Sequence, residues 1–195
     1  IGDYCHLAAF SCAIAIPSEE LLEAETRPSG AVAVVTIENL TSFEQWLDVR
    51  PADTVAVLTG GFPGRSVIRL LRDLALPVLH WGDMDAGGFE ILAYLKRSLR
   101  DVRPLAMGPD ELLAFAESCR PLGDGDRRRL ERLATLPELA DSRESIGALL
   151  QQFRKLEQEI VPPSRVAAAL SKVLAVRQSA KPDLAAPADG GARSA

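Results

Sequence analysis

The chain has 195 residues, of which 47% are hydrophobic and 25% charged, a balance that excludes a disordered or fibrous protein. The formal net charge of −5 argues against indiscriminate binding to nucleic acid but is compatible with a local basic face. The apolar runs are too short to span a membrane. Three cysteines without a CxxC pair, and only two histidines, argue against a zinc site and for free thiols.

The start of the chain bears on where the protein works. The N-terminal stretch lacks the basic start and the cleavage motif of a signal peptide, so we expect a cytoplasmic protein. The sequence begins at Ile1 rather than Met, which indicates a piece of a longer protein.

The first half of the chain alternates apolar runs with amphipathic segments after a predicted helical lead-in over 1–30. Nearly continuous β-branched runs predict buried parallel strands at 31–37, 54–59 and 77–81, with a short fourth at 102–105. Predicted helices lie between them, one capped by Thr41 or Ser42 and running to Leu47, and others at 65–74 and 86–99. This order predicts an α/β fold, an open parallel sheet of about four strands flanked by helices with right-handed connections.

The second half predicts a helical C-terminal part. Helices are expected from Pro109 and over 124–135, 142–160 and 163–177, with Pro162 and Pro163 separating the last two. Residues 178–195 are rich in Ala, Pro, Gly and Ser and predict a disordered tail. We therefore divide the chain into a lead-in (1–30), a catalytic domain with a helical extension (31–162), a C-terminal helix (163–177) and a tail.

Acidic residues follow two of the predicted strands. Glu38 comes directly after the first strand, and Asp83 and Asp85 come after the third. Parallel strands end at one edge of a sheet, where open α/β folds bind ligands, and positions i and i+2 of an extended segment point the same way. Three carboxylates gathered there repel one another unless a cation neutralises them. Oxygen ligands without His or Cys favour Mg²⁺ or Mn²⁺ over Zn²⁺.

Each of these residues also has a plainer interpretation. Asp85 stands directly before the predicted helix 86–99 and is equally consistent with an N-cap alone. A DxD pattern is short enough to occur by chance. We expect His80, next to the acidic pair, to point to the opposite face from Asp83 and to be structural.

Glycines and arginines near the predicted strand ends are candidates for phosphate contacts. Gly60 and Gly61 precede a helix N-terminus that would bind a DNA phosphate, and a tight turn explains them equally well. Arg65 and Arg69 share one side of the next helix, where solvated surface is the alternative. Gly87 and Gly88 are expected to let the backbone come close to the acidic edge or to pack the helix tightly.

Four segments of the sequence resemble one known family: VVTIENLTSF (34–43), VLTGGFPG (57–64), HWGDMDAGGFEIL (80–92) and RKLEQEIVP (154–162). They resemble the Toprim domain of the nuclease subunit of Wadjet-type plasmid-defence systems, also called JetD or MksG. That family shows ENxxxF after its first strand, a Gly-rich turn after its second, WGDxDxxGFxIL after its third, and a closing LEQE helix. A more distant similarity runs to the A subunit of type IIB topoisomerases.

The resemblance implies a Toprim-like fold and a DNA endonuclease that cleaves circular double-stranded DNA with Mg²⁺ or Mn²⁺. It implies a homodimer that works with the subunits of a condensin-like motor complex. By matching positions, it implies that Glu38, Asp83 and Asp85 are metal ligands and catalytic residues. Glu157 and Glu159 are further candidate ligands, for which a solvated helix face is the alternative.

The same resemblance bears on the mechanism. The topoisomerase relatives attack DNA with a tyrosine from a winged helix, and that region has no counterpart in this sequence. Tyr4 and Tyr94 lie in no matching context, so we infer hydrolysis by an activated water. Glu38 would be a general base or a second-metal ligand, and the sequence leaves both roles open.

Two rival functions remain. DMDAG (83–87) resembles the DxDx[TV] opening of haloacid-dehalogenase phosphatases, but it follows the third predicted strand rather than the first, and no suitable downstream lysine is evident. The chain would alternatively be a non-catalytic Toprim docking module for the motor complex. Failure to bind a metal ion in calorimetry would favour that second alternative.

Overall fold

A parallel four-stranded sheet forms the centre of the protein. The computed structural model describes residues 12–28 and 30–179. The sheet has the strand order β2-β1-β3-β4, all parallel, with β1 at Ala33–Ile37, β2 at Thr54–Leu58, β3 at Val78–Trp81 and β4 at Val102–Pro104. Every residue of β1 and β3 is buried, which explains their continuous apolar sequences. The α/β prediction is confirmed.

Helices flank this sheet and make up most of the C-terminal part. They are α1 (Ser18–Glu23), α2 (Leu40–Leu47), α3 (Arg65–Leu74), α4 (Ala86–Ser98), α5 (Pro109–Ala114), α6 (Asp124–Leu133), α7 (Arg143–Gln152) and α8 (Pro163–Ser179). Short 3-10 turns lie at Ala116–Ser118, Pro137–Ser142 and Gln158–Ile160, and the two-residue strands β5 (Arg120–Pro121) and β6 (Arg154–Lys155) pair antiparallel. No helix in the described part of the chain has the length and apolarity needed to cross a bilayer.

One hydrophobic core joins the sheet to the helices. Trp46 of α2 packs edge to face on Trp81 at the end of β3, with ring centroids 6.3 Å apart, and both side chains are fully buried. Helix α4 buries Phe89 and Leu92, and the same core continues into the C-terminal helices. The strand ends therefore rest on tightly packed aromatic groups, which limits their movement.

Two predictions about helix ends are wrong. The helix predicted over 142–160 ends at Gln152, because Phe153 adopts a left-handed conformation with φ 52° and its amide bonds back to Leu149. The chain then runs extended to Glu157 and enters the 3-10 turn Gln158–Ile160, so residues 154–160 do not continue α7. Helix α2 is capped by Asn39, not by Thr41 or Ser42.

The predicted ends of the chain are only partly described. In the predicted lead-in only Ser18–Glu23 is helical, residues 12–17 and 24–28 are not, and residues 1–11 lie outside the described residues. The predicted tail begins inside α8, which continues to Ser179, and its remainder from 180 onward also lies outside them.

Candidate active site at the strand ends

The ends of β1 and β3 bring Glu38 and the DxD pair to one edge of the sheet. The two strands are hydrogen-bonded neighbours, and Ile37 is paired with Trp81 in register. Glu38 and Gly82 are the next residues of each chain segment, and Asp83 follows. The carboxylates therefore meet at the carboxyl edge, as the strand order demands.

Glu38 lies in an environment that disfavours its charged form. Burial, followed by the charge of Asp83, raises the pKa of Glu38 to about 7, and the backbone amide of Asp83 partly offsets this rise. Asp85 and Glu159 add smaller repulsive contributions. Its Oε2 is buried and accepts no hydrogen bond from the protein. This carboxylate therefore has a free oxygen and an unmet need for a positive partner.

Asp83 shows the same tendency. Burial raises the pKa of Asp83, and the backbone amide of Gln158 opposes the rise by donating to Oδ1 at 2.7 Å. The charges of Asp85, Glu159 and Glu157 raise the pKa further. Asp83 is thus held in place by a segment that lies far along the sequence.

Asp85 caps α4 and also carries an ion pair. Its Oδ1 accepts the amide of Gly88 at 3.0 Å, so the N-cap interpretation is confirmed. Its Oδ2 lies 3.5 Å from Nζ of Lys155, which is also 3.7 Å from Asp126. The helix cap uses Oδ1 only, so Oδ2 is left to pair with the ammonium of Lys155.

Gly88 allows the close approach between α4 and the loop after β3. A Cβ at this position would lie 2.0 Å from the carbonyl oxygen of Asp83. Any larger residue would force the first turn of α4 away from the acidic loop.

Residues Leu156–Glu159, here called the crossing segment, lie across the acidic loop. Met84 and Leu156 form an antiparallel bridge, with the amide of Met84 donating to the carbonyl of Leu156 at 2.8 Å. Glu157 is partly buried and lies before the 3-10 turn, so it is not on a solvated helix face, whereas Glu159 is exposed within that turn. Glu157 pairs with Arg120 at 2.7 Å, and Glu159 accepts from the side-chain amide of Asn39 at 2.5 Å.

Gln158 is the residue of the site that the sequence interpretation missed. It is almost fully buried, its Nε2 donates to the carbonyl of Trp81 at 2.9 Å, and its Oε1 accepts the amide of Asn39 at 2.9 Å. With its own amide on Asp83, it links the ends of β1 and β3. The sequence carries no signal for this role, because Gln158 is a polar residue whose burial depends on the strand ends that it contacts.

The predicted phosphate-binding residues follow β2, beside the same edge. Gly60 and Gly61 have φ of 61° and 100°, so the turn itself requires glycine. Thr59 fixes this loop to the end of β1, because its amide and its hydroxyl both donate to the carbonyl of Ile37. Arg65 and Arg69 are exposed on α3, and Arg69 pairs with Asp73 of its own helix at 3.4 Å. Their contact with phosphate stays a prediction.

His80 lies beneath the acidic edge. Its Nδ1 is 3.0 Å from the Thr36 hydroxyl, and complete burial lowers its pKa to about 4, so the ring is neutral near pH 7. Its Nε2 is buried without a hydrogen-bond partner. The sequence predicted a structural residue that points away from Asp83, and the ring does have a structural bond through Nδ1.

The donor set fits a hard divalent cation in its chemistry, although it is not assembled as a finished cage. Among residues 12–28 and 30–179, no group of three or more His, Cys, Asp or Glu side chains is close enough to hold a metal ion. The carboxylates of Glu38, Asp83, Asp85 and Glu159 nevertheless repel one another, and Glu38 keeps an unpartnered buried oxygen. Repelling oxygen ligands are what Mg²⁺ or Mn²⁺ neutralises.

Two comparisons with known proteins show the family of this chain. The family model described as Wadjet protein JetD, C-terminal, matches residues 5–170. The chain is also 26% identical over 168 residues to the Wadjet protein JetD of Bacillus cereus (strain Q1), a match that covers 82% of this chain and 41% of that relative. The chain thus spans about two fifths of the length of that curated relative. Because the family model takes in most of the sequence, this chain belongs to the Wadjet JetD C-terminal family.

Proposed function

We propose that this chain is the catalytic domain of a Wadjet-type plasmid-defence nuclease, with a Toprim-type site that hydrolyses DNA phosphodiesters with Mg²⁺ or Mn²⁺. The observation that carries the proposal is the convergence of Glu38 and Asp83 at neighbouring strand ends, each with a raised pKa. Sites that do chemistry are where such shifts gather. Family membership and the relative's name support the defence role.

The side chains divide the work of the proposed site. Glu38, Asp83 and Asp85 would hold the metal, with Glu159 and Glu157 at its margin. A bound cation would supply an acidified water and neutralise charge on the phosphate. If Glu38 acts as a general base rather than as a metal ligand, its pKa of about 7 in the metal-free fold suits proton transfer at neutral pH. Gln158 holds Asp83 in place. The fully buried side chains of Trp46 and Trp81 would exclude water from the core side of the site.

Lys155 gives this site a charge that a metal would have to displace or share. Its ammonium lies between Asp85 and Asp126, and Arg129 pairs with Asp126 and with Glu90. A cation held by Asp85 would compete with Lys155 for that carboxylate and would leave its ammonium to Asp126 or to a DNA phosphate. Such a movement would let the carboxylates gather around a metal ion, although no ready metal cluster exists among the described residues.

The wider assembly is part of the same proposal. We infer that the chain acts in the cytoplasm as a homodimer, with double-stranded circular DNA as substrate and the subunits of a condensin-like motor complex as partners. A DNA backbone that approaches Asp83 would pass the loop and helix that follow β2, beside the acidic edge. These carry Gly60, Gly61, Arg65 and Arg69.

The decisive experiment is cleavage of supercoiled plasmid with Mn²⁺, using this chain alone and within the complete complex. Glu38→Ala and Asp83→Ala are each expected to reduce cleavage more than about 100-fold, because they remove charge that neutralises the cation at the reacting phosphate. Glu44→Ala, an exposed acidic residue of α2, is the matched control and should cleave like the parent. Unchanged cleavage in both site variants would overturn the proposal.

The docking-module alternative has one observation in its favour, namely that no ready-made metal cluster exists among the described residues. It predicts that Mn²⁺ titration gives no binding heat, while the chain still associates with the motor complex. Binding heat that disappears in Asp83→Ala would exclude it.

A further inference from the structure

Two buried polar atoms without hydrogen-bond partners lie beside Gly82. They are Nε2 of His80 and Oε2 of Glu38. A Cβ on Gly82 would lie 2.7 Å from the first and 3.0 Å from the second. Both atoms therefore border one small space, which stays open because residue 82 has no side chain.

The register of the sheet produces this arrangement. Thr36 is paired with His80, and Ile37 is paired with Trp81, so Glu38 and Gly82 come next on adjacent strands. The ring of His80 is held from behind by the Thr36 hydroxyl at Nδ1, which directs Nε2 toward the strand ends. His80 and Glu38 thus meet through backbone pairing, not through sequence proximity.

The chemistry of the two atoms is complementary in one tautomer. If the Thr36 hydroxyl donates to Nδ1, the ring proton resides on Nε2 and faces a carboxylate oxygen, which is an acceptor. The other tautomer would set a nitrogen lone pair against that oxygen. Buried polar groups are paired in native proteins, directly or through an ordered water, so while Glu38 is ionised the first tautomer is the one that satisfies both groups.

We propose that His80 is a positioning residue that donates its Nε2–H to the Glu38 carboxylate across the space beside Gly82, through a bridging water. The interaction orients the Glu38 carboxylate at the strand ends. Groups that hold a ligating side chain by hydrogen bonding tune metal affinity in this way. The role in metal binding rests on the proposed function, whereas the hydrogen bond itself does not.

The tautomer is measured by nitrogen-15 NMR of the ring. The sequence has only two histidines, so His6→Gln leaves His80 as the single imidazole signal. Spectra taken above about pH 8, where Glu38 is ionised, are expected to show the proton on Nε2. A proton on Nδ1 would overturn the proposal.

A pair of amide substitutions tests the consequence for metal binding. His80→Gln keeps a donor near the Nε2 position, while His80→Asn keeps only a polar group near Nδ1. Calorimetric titration with Mg²⁺ is expected to give affinity weakened about 10-fold in His80→Asn and largely retained in His80→Gln. Equal affinities in two folded variants would overturn the positioning role.

Failure of this inference is distinguishable from failure of the proposed function. If cleavage is unaffected by Glu38→Ala and Asp83→Ala, the nuclease proposal fails while the NMR result still decides the hydrogen bond. If those variants are inactive but the ring proton lies on Nδ1, the nuclease proposal stands and only the role of His80 is lost.

Discussion

The two halves of the site are built in different ways. The strand-end half, Glu38 and the DxD loop, is placed by backbone pairing of two fully buried strands. The other half is the crossing segment, which reaches Asp83 from 75 residues away and depends on the hydrogen bonds of Gln158. The sheet thus fixes where the charges are, and the crossing segment fixes how they point. Changes in the first half should act mainly on chemistry, apart from the helix cap of Asp85 and the buried charge of Glu38, and changes in the second should alter chemistry and stability together.

Substitutions of Asp85 are expected to have the largest effect on cleavage. They also separate its role as a helix cap from its role as a charged ligand. Asparagine caps helices as well as aspartate but carries no charge. Asp85→Asn should reduce Mn²⁺-dependent cleavage more than about 100-fold with little loss of stability. Asp85→Ala should reduce cleavage equally and also lower the free energy of unfolding by about 1 kcal/mol, through loss of the bond to Gly88.

Plasmid cleavage and chemical denaturation of the two variants give the measurement. Full cleavage by Asp85→Asn would mean that the residue is only a helix cap. The proposal that its charge takes part in the chemistry would then fail.

Gln158 probes the crossing segment. Gln158→Leu keeps a similar volume but leaves the carbonyl of Trp81 and the amide of Asn39 without their side-chain partner. We expect the free energy of unfolding to fall by about 1–3 kcal/mol. Cleavage should fall about 10-fold, because Asp83 loses the support that orients it.

Gln151→Leu, at an exposed position of α7, is the matched control and should change the free energy of unfolding by less than about 0.5 kcal/mol. A stable Gln158→Leu variant with parental activity would show that the strand ends need no help from the crossing segment.

Glu38 should make the metal-free protein less stable as pH rises. Its pKa is about 7 in the fold against the ordinary 4.5 of a glutamate, so the folded state holds the proton more tightly than the unfolded chain. The stability this gives is complete below pH 4.5 and is lost as pH rises through about 7. Glu38→Gln, which is always neutral, removes that loss.

Melting temperatures in EDTA from about pH 5 to about pH 8 should therefore diverge, with the variant gaining on the parent. Added Mg²⁺ should raise the melting temperature of the parent more than that of Glu38→Gln, since the variant lacks one of the three charged ligands. Parallel curves would contradict the raised pKa.

Arg65 carries the smallest expected effect. It is exposed on α3 beside the acidic edge, so Arg65→Ala should leave stability almost unchanged and lower the salt dependence of DNA binding by about one unit of log–log slope. The charge-matched control is Arg97→Ala. Arg97 is an exposed arginine of α4 that pairs with Glu138. Binding isotherms at several salt concentrations distinguish the two, and equal slopes would remove Arg65 from the interface.

Local patterns predicted the parts of the site that lie next to strands. The continuous apolar runs at β1 and β3 gave the buried strands, and strand ends in a parallel sheet share an edge, so Glu38, Asp83 and Asp85 followed. The helix predicted through 160 failed because Phe153 takes a left-handed conformation that its residue type does not signal. His80 was assigned no role at the site because its neighbour in space, Glu38, comes from another strand.

The sequence by itself determined the α/β class, the acidic residues and the family likeness, because periodicity and motif are local properties of the chain. Tertiary structure alone decided that Gln158 links two strand ends and that Lys155 lies against Asp85. It also decided that Glu38 and His80 share one space beside Gly82. Such contacts depend on register and on a segment that returns across the sheet edge, and no local pattern encodes them.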